Sequence, residues 1–430
     1  MLLKNATTLT LFPPRIRRTD LRIEMAKVSG TGANLRRRPG EEVADLDGKF
    51  LMPGFVNAHT HLYSSLSRGM PAPGRAPANF PEILRRVWWK LDRALDDELI
   101  FYSAVAGAMD AALCGTTTLV DHHASPNAIA GSLDLIREAL ELVGLRGILC
   151  YEVTDRGGRK KRDAGLIENE WFIRAHRGHP RFRGVVGAHA AFTLGDESLG
   201  LCGSMAERLD TGVHIHLAED RCDVTDARKR FGRSVVERLA DNGVLRRKSI
   251  LAHCIHIDDF SALRRSQAWM VHNPRSNMNN GVGHAPVHRF GDRAALGTDG
   301  FPADMLEEAR TGTFRNSENR SRGGSFGTVA GCLGGAQAMA SEIFGTPLGL
   351  PNKGAAADFV VMNYRPPTPV TEENLLGHLL FGMNSSMVES VMVAGKWTVK
   401  DRRITGLDEE AILRKTSKAA AKLWKRMESL

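Results

Sequence analysis

Short apolar segments alternate with longer amphipathic ones through most of the chain. Eight of the short kind begin at Phe55 (FVNAHTHL), Thr116 (TTTLVDHH), Arg146 (RGILCYEV), Arg183 (RGVVGAHAAF), Gly212 (GVHIHLAE), Ser249 (SILAHCIH), Ala268 (AWMVHNP) and Ala294 (AALGTDG). Near-continuous apolar runs of this length predict strands buried on both faces of a parallel sheet. Between them, DELIFYSAVAGAMDAALCG, SLDLIREALELVG and SVVERLADNGVL carry apolar residues at three-to-four spacing and stop at or near Gly, as amphipathic helices do. Strand and helix alternating in this way predict a closed (β/α)8 barrel of TIM type over residues 52–349.

The two ends of the chain break the alternation. Residues 1–51 and 350–405 hold short strand-like pieces, among them ADFVVMNY and ESVMVAGKWTVKDRRI, which predict one small β domain built from both termini. Residues 406–430 place acids before bases, the order that complements the dipole of a terminal helix. The longest interruption inside the barrel, SRGMPAPGRAPANFPEILRRVWW, is rich in Pro and Gly and is the candidate lid.

Composition narrows the class. At 430 residues with 42% hydrophobic and 25% charged positions, the chain is an ordinary globular one. The net charge of +9 gathers in short runs at Arg15, Arg17 and Arg18, at Arg36 to Arg38, and at Arg156 to Arg162. These sit beside Pro and Gly in expected loops without interleaved aromatic residues, so solvated charge accounts for them better than nucleic acid does. The six cysteines show no CxxC pair, as a reducing compartment allows. With no signal-peptide pattern at the start and no run near the roughly 18 apolar residues of a membrane span, the expected location is cytoplasmic, with no membrane partner.

Polar residues fall late in the predicted strands, where a barrel carries its site. His59 and His61 are two apart in a strand, so both leave the same face and can reach one ion. In GVHIHLAED, His216 is nearer the strand's end and is the expected ligand, while Glu219 at the exit is the expected proton shuttle. His214 lies a layer lower, either as a hydrogen-bonded core histidine or as a support for a ligand. Asp299 in LGTDG completes the set. A divalent ion on three neutral imidazoles and one carboxylate keeps net positive charge, enough to lower the pKa of a bound water from about 15.7 to near 7. Glu219 and Asp299 would then move protons, and His253 in LAHC would polarise the attacked group. Zinc is the default metal, and iron(II) accepts the same donors.

With PGFVNAHTH, VHIHLAE, LAHC and LGTDG in that order, the chain resembles the amidohydrolase superfamily over nearly its whole length, and more closely its chlorohydrolase and deaminase branch. The resemblance implies a metal on His59, His61, His216 and Asp299, catalysis by Glu219 and His253, and a composite β-sandwich. It also implies that His189 in GAHAAFTLGDESL faces substrate. The stretches HLYSSLSRGM, DHHASPNAIAGSLD, CYEVTDRGG and NPRSNMNNGVG resemble, more narrowly, the aminohydrolase SsnA group. One departure is Arg275, which stands where the family pattern has an acid. Lining the mouth, it would favour an anionic substrate group.

Tyr63, Asn277 and, in the candidate lid beside Trp88, Trp89 are further candidates for substrate contact, and His122, His123, His256 and His272 lie near strand ends. The expected function is hydrolytic deamination of a cyclic amidine or aminated heterocycle by a homodimeric enzyme with a small-molecule substrate. The alternatives are displacement of halide or another amidine or amide group by the same chemistry, and a metal-binding partner protein without turnover.

Overall fold

In the computed structural model, which describes residues 1–72, 74–319 and 327–430, the eight apolar segments pair side by side. Phe55–Thr60, Thr116–His123, Arg146–Tyr151 and Phe182–Gly184 form consecutive parallel pairs. Val186–Ala190, Val213–Leu217, Ile250–His253, Trp269–His272 and Ala294–Leu296 form the rest. The fourth strand is thus split at Val185. Its second half is joined to the third strand through Val153 and Ala188, and the eighth strand meets the first through Thr60 and Asp299, which closes the barrel.

Closure depends on how near the eighth strand comes to the first. The amides of Thr298 and Asp299 both donate to the His59 carbonyl, at 3.0 and 2.9 Å. A Cβ at Gly297 would stand 2.8 Å from the His59 nitrogen, so only glycine permits the approach. Every residue of the first three strands is buried, which is why these strands read as unbroken apolar runs rather than as an alternation.

Helices on the outside start and stop on local signals. Asp96 caps Asp97–Leu113, Ser234 and Glu237 form a reciprocal capping box, and Gly144 and Gly232 end their helices in the left-handed region. The segment after the first strand is not an irregular loop throughout. It forms short helical turns at Leu62–Ser67 and Phe80–Ile83, a wide turn at Leu84–Trp88, and a helix at Trp89–Ala94. Pro73 of this candidate lid lies outside the described residues.

The termini build one sheet. Strands Leu2–Leu11, Pro14–Glu24, Lys27–Gly32 and Phe50–Pro53 join Phe359–Met362, Val388–Val393, Lys396–Lys400 and Arg403–Ile404, with Val43–Asp45 at the side. The seam is the antiparallel pairing of Phe50–Pro53 with Phe359–Met362. Arg15, Arg17 and Arg18 lie on a strand of this sheet, not in a loop as their neighbours suggested. Arg15, Arg17 and Arg18 are all exposed there, so the side chains reach water while the backbone pairs. The last helix, Glu409–Glu428, returns to the barrel, where Trp424 donates to the Leu66 carbonyl at 2.8 Å. Among the described residues no helix is long and apolar enough to cross a membrane.

Sheet and barrel are tied by a buried fork. Arg146, at the start of the third barrel strand, donates from Nε and Nη2 to Asp358 at 2.8 and 3.0 Å, and the two side chains are 3% and 1% exposed. Asp358 also accepts from the Ala394 amide at 2.7 Å. Removing one member leaves the other buried without its counter-charge. Asp358→Ala is expected to lower unfolding stability by about 3–5 kcal/mol, measured by urea titration against the parent chain.

Candidate metal centre

At the C-terminal mouth of the barrel the first, fifth, sixth and eighth strands deliver His59 and His61, His216, His253 and Asp299 to one point. All four histidines are buried. Their tautomers follow from their neighbours. Nδ1 of His61 lies 2.6 Å from the His122 carbonyl, and Nδ1 of His216 lies 2.8 Å from the His189 carbonyl. A carbonyl only accepts, so each Nδ1 carries the hydrogen and each Nε2 of the neutral ring is a bare lone pair. These two Nε2 atoms face each other at 3.2 Å, and Asp299 Oδ1 stands 2.9 Å from that of His61.

Two lone pairs and a carboxylate aimed at one buried point favour positive charge between them. The Nε2 atoms of His59 and His253 are buried there with no hydrogen-bond partner. One ligand atom each from His59, His216, His253 and Asp299 lie within 4.8 Å of one another, as do those of His61, His122 and His216. This donor set fits a divalent cation. Burial holds His59 near 3 and His216 well below the ordinary histidine value, so both stay neutral. For His61 burial alone would do the same, but contact with the Asp299 carboxylate and the His122 carbonyl carries it up to about 9. That upward pull expresses the same demand for positive charge.

The carboxylates differ in state. Burial opposes ionisation of Asp299, yet its contacts with His59 and His61 hold it well below the usual carboxylate range. Glu219 is pushed well above that range by burial and by the charge on Asp299. The proton of the pair therefore resides on Glu219. Ser276 Oγ donates to Asp299 Oδ2, and Asn280 reaches Glu219 Oε1 at 3.4 Å. His253 Nε2 is 3.6 Å from Glu219 and 3.9 Å from Asp299. Asp299 and His253 adopt φ of 56° and 73°, left-handed values that cost a residue with a Cβ of order 1–3 kcal/mol. The surrounding strands sustain this strain where both side chains turn back over the barrel axis.

Below the cluster, His59 Nδ1 meets His214 Nε2 at 2.9 Å. His214 thus lies a layer lower, and by accepting there it leaves the His59 lone pair on Nε2. His122 points into the barrel, 3.5 Å from Glu152. Its neighbour His123 points away, to Ser125 at 2.8 Å.

Above the cluster lies a cavity of about 360 Å3, whose wall includes Tyr63, Trp89, His189, His216, Glu219 and Asp299. Two expected contact residues are not on it. Arg275 is engaged by Glu308, by Glu307 at 2.7 Å and by the Pro302 carbonyl at 2.6 Å, so its charge is neutralised away from the mouth. Asn277 accepts from His253 Nδ1 at 2.8 Å, and it reaches the site by orienting that ring. His256 donates to the Val282 carbonyl at 2.9 Å, and His272 lies buried near His284. The residues not anticipated are Glu152, Asp92 and Ser276, all on the cavity wall. Glu152 ends the third strand, so the rule that singled out the other strand ends applies to it equally. Asp92 lies on a helix whose pattern reads as packing, and nothing local marks it.

Comparison with known proteins places this architecture. The model for the Amidohydrolase family matches residues 50–398. A 5-methylthioadenosine/S-adenosylhomocysteine deaminase of Syntrophomonas wolfei subsp. wolfei is 30% identical over 397 residues, 89% of each chain. A 5'-deoxyadenosine deaminase of Methanosarcina mazei is 27% identical over 442 residues, covering 100% of this chain and 99% of that one. The fold recurs in the crystal structure of an adenosine deaminase from Xanthomonas campestris with bound zinc, at a TM-score of 0.84, 19% identity and 98% of each chain. It recurs again in a mutant atrazine chlorohydrolase from Arthrobacter aurescens complexed with zinc and atraton, at a TM-score of 0.82 and 21% identity, over 97% of this chain and 99% of that one. The matched stretch holds all eight barrel strands and every side chain of the buried cluster, and the chain belongs to the amidohydrolase family.

Proposed function

We propose that the chain is a metal-dependent hydrolytic deaminase, with His59, His61, His216 and Asp299 as the metal ligands and an adenine nucleoside as the substrate class. The observation that carries this reading is the convergence of the His61 and His216 Nε2 lone pairs and the Asp299 carboxylate on one buried point, with Glu219 beside it on the cavity wall; burial favours the protonated form of Glu219, while contact with the imidazoles favours the ionised form of Asp299. Carboxyl groups separated in this way supply one acid and one base for the same turnover. A divalent ion at these ligands would supply Lewis-acid activation of water. The donors suit zinc and also iron(II).

The remaining steps belong to the chain's own residues. Glu219 donates its proton to the ring nitrogen beside the amino-bearing carbon, which makes that carbon electrophilic. Asp299 accepts a proton from the attacking water. As the carbon–oxygen bond forms and the carbon–nitrogen bond breaks, the proton taken by Asp299 passes to the departing amino nitrogen, which leaves as ammonia, and the remaining hydroxyl proton returns to Glu219 as the carbonyl forms. His253, held by Asn277, stands 3.6 Å from Glu219 and 3.9 Å from Asp299, beside both carboxyl groups. Phe80, Leu84, Trp88, Trp89, Phe192 and Phe301 give the cavity apolar walls, which exclude water around a flat ring.

The relatives named as methylthioadenosine, S-adenosylhomocysteine and deoxyadenosine deaminases support an adenine nucleoside. The narrower likeness to the SsnA group rests on the four stretches that carry it. Three of them contribute Tyr63, Glu152, Ser276, Asn279 and Asn280 to the cavity wall, so any substrate preference peculiar to that group would be set by these residues.

Two outcomes are expected. Glu219→Gln keeps its metal content by elemental analysis while kcat falls by about 10²–10⁴, whereas His216→Ala loses bound metal together with turnover. Metal-loaded enzyme releases ammonia from adenosine, 5'-deoxyadenosine, 5'-methylthioadenosine or S-adenosylhomocysteine. Release of chloride from a chlorotriazine, with no ammonia from any of the four nucleosides, would replace this reading with a dehalogenase.

A further inference from the structure

The helix Trp89–Ala94 lies over the cavity and contributes Trp89 and Asp92 to its wall. Asn127, beyond the second strand, donates to its Arg93 carbonyl at 2.8 Å, and one guanidinium grips its cavity side. Arg156, just beyond the third strand, donates to Glu152 Oε1 at 2.8 Å and to Asp92 Oδ2 at 3.3 Å. The same group lies 4.7 Å from the centre of the Trp89 ring, and its Nε donates to Thr154 at 3.2 Å. The Asp92 and Glu152 side chains are only 3% and 4% exposed, against 20% for Arg156. The geometry suits a two-sided clamp, because the planar guanidinium presents separate edges to two carboxylates and its face to an indole.

We propose that Arg156 is a positioning residue that clasps the lid helix to the barrel mouth, so that opening of the cavity requires it to release Asp92 and Trp89 while remaining on Glu152. The asymmetry of its contacts supports this order. Glu152 is anchored on the barrel, with His122 at 3.5 Å and His189 at 3.9 Å. Asp92 has a longer bond to Arg156, and its Oδ1 is buried without any partner. Burial also pushes Asp92 up to about 7 in spite of Arg156, so the lid side of the clasp is the weaker one. The wide turn at Leu84–Trp88 lies directly before the clasped helix, and such turns interrupt the regular helical hydrogen bonding.

Hydrogen exchange of the metal-loaded full chain, read by mass spectrometry without substrate, tests the clasp independently of any assignment of the reaction. Arg156→Ala is expected to speed exchange over residues 80–94 roughly tenfold, the effect of losing charge-assisted bonds, and to leave Val235–Asp241 unchanged. Arg156→Lys is expected to fall between, since it keeps the charge and loses the fork. Asp92→Asn should loosen the same segment, and the double variant with Arg156→Ala should exchange no faster than Arg156→Ala alone. For any substrate turned over, KM should rise more than kcat falls. Unchanged protection of 80–94 in both single variants, additive effects in the double, or a loss of protection spread over the whole barrel would each overturn the proposal.

Discussion

The join between the eighth and first strands is the constraint on which the site depends. Two amides, those of Thr298 and Asp299, donate to one carbonyl, that of His59, and glycine at 297 lets the strands approach that closely. The same contact that closes the barrel sets the Asp299 carboxylate against the imidazoles of His59 and His61. A ring opened at this point would separate Asp299 from His59 and His61, even with every residue still present.

That closure concentrates polar groups where a barrel normally packs aliphatic ones. His59, His122, His214 and His253 are fully buried around the axis, and burying polar groups is unfavourable unless each is bonded. Carbonyls of neighbouring strands satisfy His61, His122 and His216, and Asn277 satisfies one side of His253. The Nε2 atoms of His59 and His253 remain without a hydrogen-bond partner at the buried cluster. Strain is concentrated in the same place, at the left-handed Asp299 and His253. The aliphatic layers around the outside of the strands stabilise the fold enough to hold this arrangement.

The cavity above is walled by several separate elements. Its apolar roof comes from the segment after the first strand, its floor from the strand ends, and its acidic side from Glu152 and Asp92, which share the counter-charge of Arg156. The C-terminal helix supports the same region, with Trp424 bound to the Leu66 carbonyl and Arg426 to the Ala94 carbonyl at 3.1 Å. The upper wall of the cavity thereby comes from segments that the barrel scaffold holds in place.

The amino-acid order alone determined the strands, the helices between them, and the identity of the groups at the strand ends. Strand periodicity, buried apolar runs and helix stops are local properties, so the HxH pairs, Glu219 and Asp299 could be placed near one mouth before any contact was known. Folding in three dimensions decided which nitrogen of each imidazole faces the shared buried point. It also drew Arg275 to Glu307 and Glu308 rather than to the mouth, and it joined Asp92 to Arg156 across 64 positions of chain. These outcomes depend on pairing between groups distant in sequence, where the energy of a charge or hydrogen bond is set by whichever partner the packed neighbours bring within about 3 Å.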